Sequence, residues 1–163
     1  MPTILVGGGR VGRALATRLD RRGEFVVIVE DDENAAAEAR RAGFTVHEGD
    51  GTESDVLRAA GIEDAKIVVA ATGDDDVNAL ITQLASTKFG VGKIYARVND
   101  PENVEAFDSE VVTAIDSSMA TAYAIDNEIE RPELAHWMND LGDGHDIQQV
   151  TVTAEDLVGK TIE

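Results

Sequence analysis

The chain has 163 residues, 43% of them apolar, with 14 basic against 32 acidic side chains and a formal charge of −18. That is enough apolar material for one globular domain, and a field that repels phosphate backbones argues against nucleic acid or anionic lipid as partners. With no Cys, and with apolar runs such as Phe25 to Val29 far short of the roughly 20 residues of a bilayer span, it reads as a soluble, cytosolic chain without disulfides or thiolate metal sites.

No basic segment followed by an apolar stretch opens the sequence, so no export signal is expected. Met1 leads almost at once into the apolar run Thr3-Ile4-Leu5-Val6, the first predicted strand. The turn Gly7-Gly8-Gly9-Arg10-Val11-Gly12 follows, and Val11, Leu15 and Leu19 then recur on one helical face, with Gly23 as the stop. Further strands are expected at 25–30, 44–48, 66–71, 93–97 and, weakly, 111–113. Between them lie an Ala-rich helix from Glu33 to Ala42, a short helix opened by Ser54 or Thr52 and closed by Gly61, and a helix running from Asp74 to Gly90. Nearly all-apolar strands separated by single helices indicate an α/β fold: a doubly wound, Rossmann-type parallel sheet of about six strands with helices on both faces.

From Ser117 the pattern changes. A helix from Met119 to about Ile129 closes a first domain at 1–130, a polar segment at 131–146 reads as a linker, and 147–163 reads as the start of a truncated second domain. Residues 98–163 carry 16 of the 32 acidic side chains but only two basic ones, Arg131 and Lys160. Acid-crowded surfaces with few Lys resemble those of proteins from salt-loving archaea, where salt screens the repulsion.

The Gly-rich turn has the GxGxxG spacing of a dinucleotide site. Gly7 makes the turn out of the strand, Gly9 admits a pyrophosphate to the backbone, and Gly12 lets helix and strand pack closely. Free N–H groups at the helix start would face the phosphates. Glu30 ends the next strand 18 residues after Gly12, placed to accept hydrogen bonds from ribose hydroxyls and to repel a 2′-phosphate, which favours NAD or an adenine nucleotide over NADP. Arg10 sits beside the turn with a guanidinium fork suited to phosphate. Ligands of such sheets lie beyond the strands' carboxyl ends, so Gly49-Asp50-Gly51-Thr52, Ala71-Thr72-Gly73 and Arg97 join the candidate site.

These segments, with Asn78 and Ile94-Tyr95-Ala96-Arg97-Val98-Asn99, resemble in order the RCK N-terminal domain (TrkA-N, or KTN) of Trk- and Ktr-type potassium-uptake regulators, over about residues 3–130. Val150 to Thr153 and Leu157 to Ile162 resemble the opening of the companion TrkA-C domain. The family's Gly-containing turn before the sixth strand is shortened here to Phe107-Asp108-Ser109-Glu110. The resemblance implies a domain that is not an enzyme. It would bind NAD, NADH, ATP or ADP and pair into dimers, tetramers or octameric rings beneath a membrane potassium transporter whose opening it controls. Gly7, Gly8, Gly9, Arg10 and Val11 would hold phosphates, Glu30 the ribose, Asp50, Gly51, Thr52, Thr72 and Gly73 the adenosine half, and Arg97 a further ligand contact. No metal site is expected. The rival reading, an NAD-dependent oxidoreductase, would need a proton donor near the nicotinamide. Tyr95 and Tyr123 lack a lysine four residues on, and His47, His136 and His145 lack recognisable acidic partners or ligand spacing.

Overall fold

A computed structural model describes residues 1–107 and 109–130; the expected linker and second domain lie outside the described residues. Six strands, β1 (Thr3–Val6), β2 (Val26–Glu30), β3 (Thr45–Glu48), β4 (Ile67–Ala70), β5 (Ile94–Val98) and β6 (Val112–Asp116), form one parallel sheet in the order β3-β2-β1-β4-β5-β6. The reversal between β1 and β4 is the switch point of a doubly wound sheet, where the strand ends diverge and leave a crevice.

Helices α1 (Arg10–Arg21) and α2 (Glu33–Arg41) cover one face, burying Ala16 and Ala39 against Leu5, Val26 and Ile28. On the other face α3 (Ser54–Ala59) and α4 (Asp75–Gln83) bury Leu57 and Ile81 against Ile4, Val6, Val29, Val68 and Ile94. α5 (Ser117–Glu130) leaves β6 and has no buried residue. Among the described residues, no helix is long and apolar enough to cross a membrane.

Five details differ from expectation. β6 runs to Asp116 because all five of its residues pair with β5, while its alternating partly buried and exposed positions dilute the apolar signal that marked 111–113. The long fourth helix is α4 followed by a π-type turn at Leu84–Lys88, and a 3₁₀ segment, Pro101–Phe107, fills the connection before β6. The start of α3 is capped by neither Ser54 nor Thr52; Thr52 turns its N–H and hydroxyl to Asp50 Oδ1 instead, at 2.8 and 2.7 Å. α5 begins at Ser117 rather than Met119, since Asp116 Oδ1 caps it by accepting from the N–H groups of Ser118 and Met119.

Candidate functional site

The carboxyl ends of β1, β2, β4 and β5 converge on a cavity of about 470 Å³. Of the residues singled out in the sequence, Gly7, Gly9, Arg10, Val11, Glu30, Asp50, Gly51, Thr72, Gly73 and Arg97 line it. Gly8 and Thr52 do not. Gly8 is packed underneath, its N–H donating to Glu30 Oε2, and Thr52 serves to hold Asp50.

The glycines divide the work of the turn. At Gly7, with φ +104°, a Cβ would lie 2.9 Å from the backbone of Ala71 and Thr72, so only glycine fits. At Gly12 a Cβ would lie 1.9 Å from the Gly7 carbonyl oxygen, which is why α1 can start so close to β1. At Gly9, by contrast, a Cβ would meet nothing within 4 Å, so the backbone is bare toward the cavity. Gly9 is also the N-cap of α1; the first helical bond runs from Arg13 N–H to the Gly9 carbonyl, which leaves the preceding N–H groups without helical partners. No acid occupies the first turn of α1, so no side chain of the helix itself competes with an incoming anion at the positive end of its dipole.

Glu30 is buried at the end of β2. Its Oε2 accepts from Gly8 N–H and its Oε1 from Asp32 N–H at 2.9 Å, so it braces the turn as well as facing the cavity. Each carboxylate oxygen retains a further lone pair for a ligand hydroxyl. Across the cavity, two hydrogen bonds from Thr52, one from its side chain and one from its backbone, hold the Asp50 carboxyl below the ordinary range, so it stays ionised.

Against these acids stand two arginines. Arg10 is exposed at the start of α1, and Arg97 is half-buried at the end of β5 with its Nε buried and without a hydrogen-bond partner among the described residues. Guanidiniums and bare helix N–H groups that border one cavity are a set of donors suited to an anion with several oxygens.

Two contributors escaped the sequence reading. Arg13 reads as part of a solvated helix face, yet its Nη1 donates to the Gly8 carbonyl at 2.7 Å while its Nη2 pairs with Glu38 at 2.7 Å, tying the turn to α2. Asp75 lies in an acidic run but gathers four donors: Asn99 N–H and Nδ2, each at 2.8 Å, Asp100 N–H at 2.9 Å and Asn103 Nδ2 at 3.0 Å. Burial raises its affinity for a proton, but these hydrogen bonds outweigh that and bring its pKa down to about 2. Only the partners' positions reveal either role. His47 lies on edge strand β3, and no group of three or more candidate metal ligands occurs among the described residues.

A six-stranded sheet in this order, with a glycine-lined cavity at its switch point, defines a Rossmann-type domain. The chain belongs to the TrkA-N domain family, which matches residues 3–122. It is 33% identical over 165 residues to a Trk system potassium uptake protein TrkA homolog of Methanothermobacter thermautotrophicus, covering 99% of this chain and 76% of the relative. It is also 34% identical over 132 residues to Trk system potassium uptake protein TrkA of Mycobacterium tuberculosis, covering 80% of this chain and 58% of that one. Among solved structures, the TrkA-N domain of the Escherichia coli inner membrane protein YbaL shares the fold, with a TM-score of 0.72 and 22% identity over 79% of this chain and 96% of that one. GsuK bound to ADP is similar at a TM-score of 0.66 and 27% identity, over 80% of this chain and 34% of that one.

Proposed function

We propose that this chain is the nucleotide-sensing part of a potassium-uptake system. It binds NAD or NADH, or ATP or ADP, and its bound state governs a membrane potassium transporter of the Trk or Ktr type from the cytoplasmic face. The observation that carries the reading is the cavity at the switch point, where bare turn backbone and two arginines face Glu30 and Asp50. Phosphates fit the first group and sugar or base hydroxyls and amines the second. The likeness to an ADP-bound protein and to relatives named for potassium uptake supports it.

A sensor, rather than an oxidoreductase, is favoured by the polar side chains of the cavity. Among the described residues they are carboxylates, guanidiniums and Thr72, without the Tyr and Lys pairing of hydride-transfer sites.

Control of a transporter requires a second state, and the molecule offers a surface for one. A groove of about 870 Å³ lies on the α1 face of the sheet, walled by Leu15, Val69, Tyr95, Ile115 and the first turn of α5. It shares Val11, Ala71 and Arg97 with the nucleotide cavity. We assign it to a second copy of the chain, so that the ligand biases how two copies pair.

Calorimetric titration of the chain with NAD, NADH, ADP and ATP, in molar salt to screen its charge, tests the proposal. At least one of them binds in the micromolar range. Glu30→Gln, which keeps the bulk but gives up one of the two acceptor oxygens, weakens that binding roughly tenfold or more. Absence of binding by all four overturns the sensor, and turnover of an alcohol or ketone with NAD would restore the oxidoreductase.

A further inference from the structure

Asn78 lies on the first turns of α4, is fully buried, and does not line the cavity. Its carboxamide is nevertheless fully engaged with two residues that do. Oδ1 accepts from Thr72 N–H at 3.0 Å and from Thr72 Oγ1 at 2.7 Å, while Nδ2 donates to the Thr72 carbonyl at 3.3 Å and to the Arg97 carbonyl at 2.9 Å.

The position of this bridge explains why an amide is needed. The β4–β5 ladder runs Val68↔Ile94, Val69↔Tyr95, Ala70↔Ala96 and stops, because β4 gives way to the Ala71–Asp74 turn that borders the cavity. Arg97 remains paired with Ile115 of β6 but has lost its partner on the β4 side. A buried backbone carbonyl without a donor is costly, and so is an unpaired N–H in the turn. Asn78 supplies both, acting as a side-chain rung where the backbone rungs have ended, and a carboxamide is the side chain that donates and accepts at one site.

The consequence reaches the ligand through Arg97. Its guanidinium Nε is buried without a partner, so what holds this residue at the cavity is its backbone: the β6 ladder on one side and Asn78 on the other. We infer that Asn78 is a positioning residue for Arg97, setting the gap between the Thr72 rim and the arginine and so the reach of the guanidinium to the anionic part of a bound nucleotide. This rests on the nucleotide-binding reading above. It also gives α4 a role that the cavity lining alone does not show, with Asp75 fixing the segment just beyond Arg97 from the same helix end.

A double-mutant cycle on the full chain, read by calorimetry with ADP and with NAD, tests this. Asn78→Asp keeps the acceptor toward Thr72 and removes the amide donor that the Arg97 carbonyl, and at longer range the Thr72 carbonyl, accepts from. It weakens binding about tenfold, the order expected when the displaced guanidinium gives up one charged hydrogen bond to the ligand. In the Arg97→Met background, where the guanidinium is already gone, the same change has no further effect. Asn78→Ser, which buries no charge, carries the same cycle if the Asp variant does not fold, as judged by circular dichroism. Equal losses in both backgrounds, or no loss from Arg97→Met itself, overturn the inference while leaving nucleotide binding intact. Failure of both Asn78 variants to fold makes the residue a structural prop and overturns it too. No binding by the unaltered chain removes the proposed function and this inference together.

Discussion

The two halves of the sheet are finished to different degrees. Around β1 and β2 both faces are covered: Leu5 and Ile28 lie under α1 and α2, Ile4 and Val29 under the helices opposite, and all four are fully buried. Around β5 and β6 the described residues cover only one face. On the α1 side exposure grows outward along the register, from Val69 at 8% through half-buried Tyr95 to exposed Thr113, and Ile115, two residues further along β6, is 44% exposed. Among the described residues, the buried side-chain polar atoms without a partner are Thr3 Oγ1 and Arg97 Nε, and both residues border this groove. Parallel sheets bury both faces, so among the described residues one half is self-sufficient and the other leaves a face for something further to cover.

The contrast is broken most directly by truncating one apolar side chain in each half. Ile28→Ala, in the covered half, should cost about 3 to 4 kcal/mol and lower the melting temperature by on the order of 10 °C. Ile115→Ala, in the open half, should cost under about 1 kcal/mol when measured at high dilution. Chemical denaturation at two protein concentrations reads both. If the groove is an interface, the Ile115 effect grows with concentration while the Ile28 difference stays constant. Equal costs at high dilution would show that the open half is closed in the isolated chain.

Much of the covered half was legible because its determinants are local. The alternation of apolar runs with helical periods gave the strands, and Gly7, Gly9, Gly12 and Glu30 occupy a spacing that has a mechanical reason. The structure changed the meaning of some of these rather than their place. Glu30 braces Gly8 as well as facing the cavity, and Thr52 holds Asp50 from outside it. Arg13, Asp75 and the bridging role of Asn78 were not legible, because each acts through partners that the chain brings together only on folding; Asn78 and Arg97 are 19 residues apart. An aspartate within a run of three acids looks like a solvated surface until Asn99, Asp100 and Asn103 are seen to converge on it.

A smaller effect probes the open half alone. α5 carries Met119, Tyr123, Ile125 and Ile129 exposed, with Tyr123 at 62%, beside a groove that the same helix helps to wall. A surface and a groove on one chain make a self-complementary pair under two-fold symmetry. If two copies pair through this face, Tyr123→Asp should raise their dissociation constant about tenfold or more, read by light scattering across a dilution series. It should leave the monomer's stability within about 0.5 kcal/mol, since the side chain is exposed. A monomeric wild-type chain at all concentrations would remove the second copy from the groove.

The smallest effect concerns the rim shared by both halves, where Asp75 clamps the segment after β5. Its carboxyl moves from the ordinary 3.8 to about 2 on folding, so the folded state holds the ionised form more tightly than the unfolded chain does. The stabilisation is therefore fully present above pH 3.8 and is lost as the pH falls through about 2. Asp75→Asn removes this term, so the acid limb of the stability curve should become shallower between those two values. Because the site is partly solvated, the change is modest against the background of 32 acidic side chains. The informative comparison is thus the variant against the wild type in the same buffers, with Asp76→Asn, an exposed neighbour, as the control. An Asp75→Asn curve that parallels the control would mean that Asn99 and Asn103 hold the segment without the charge.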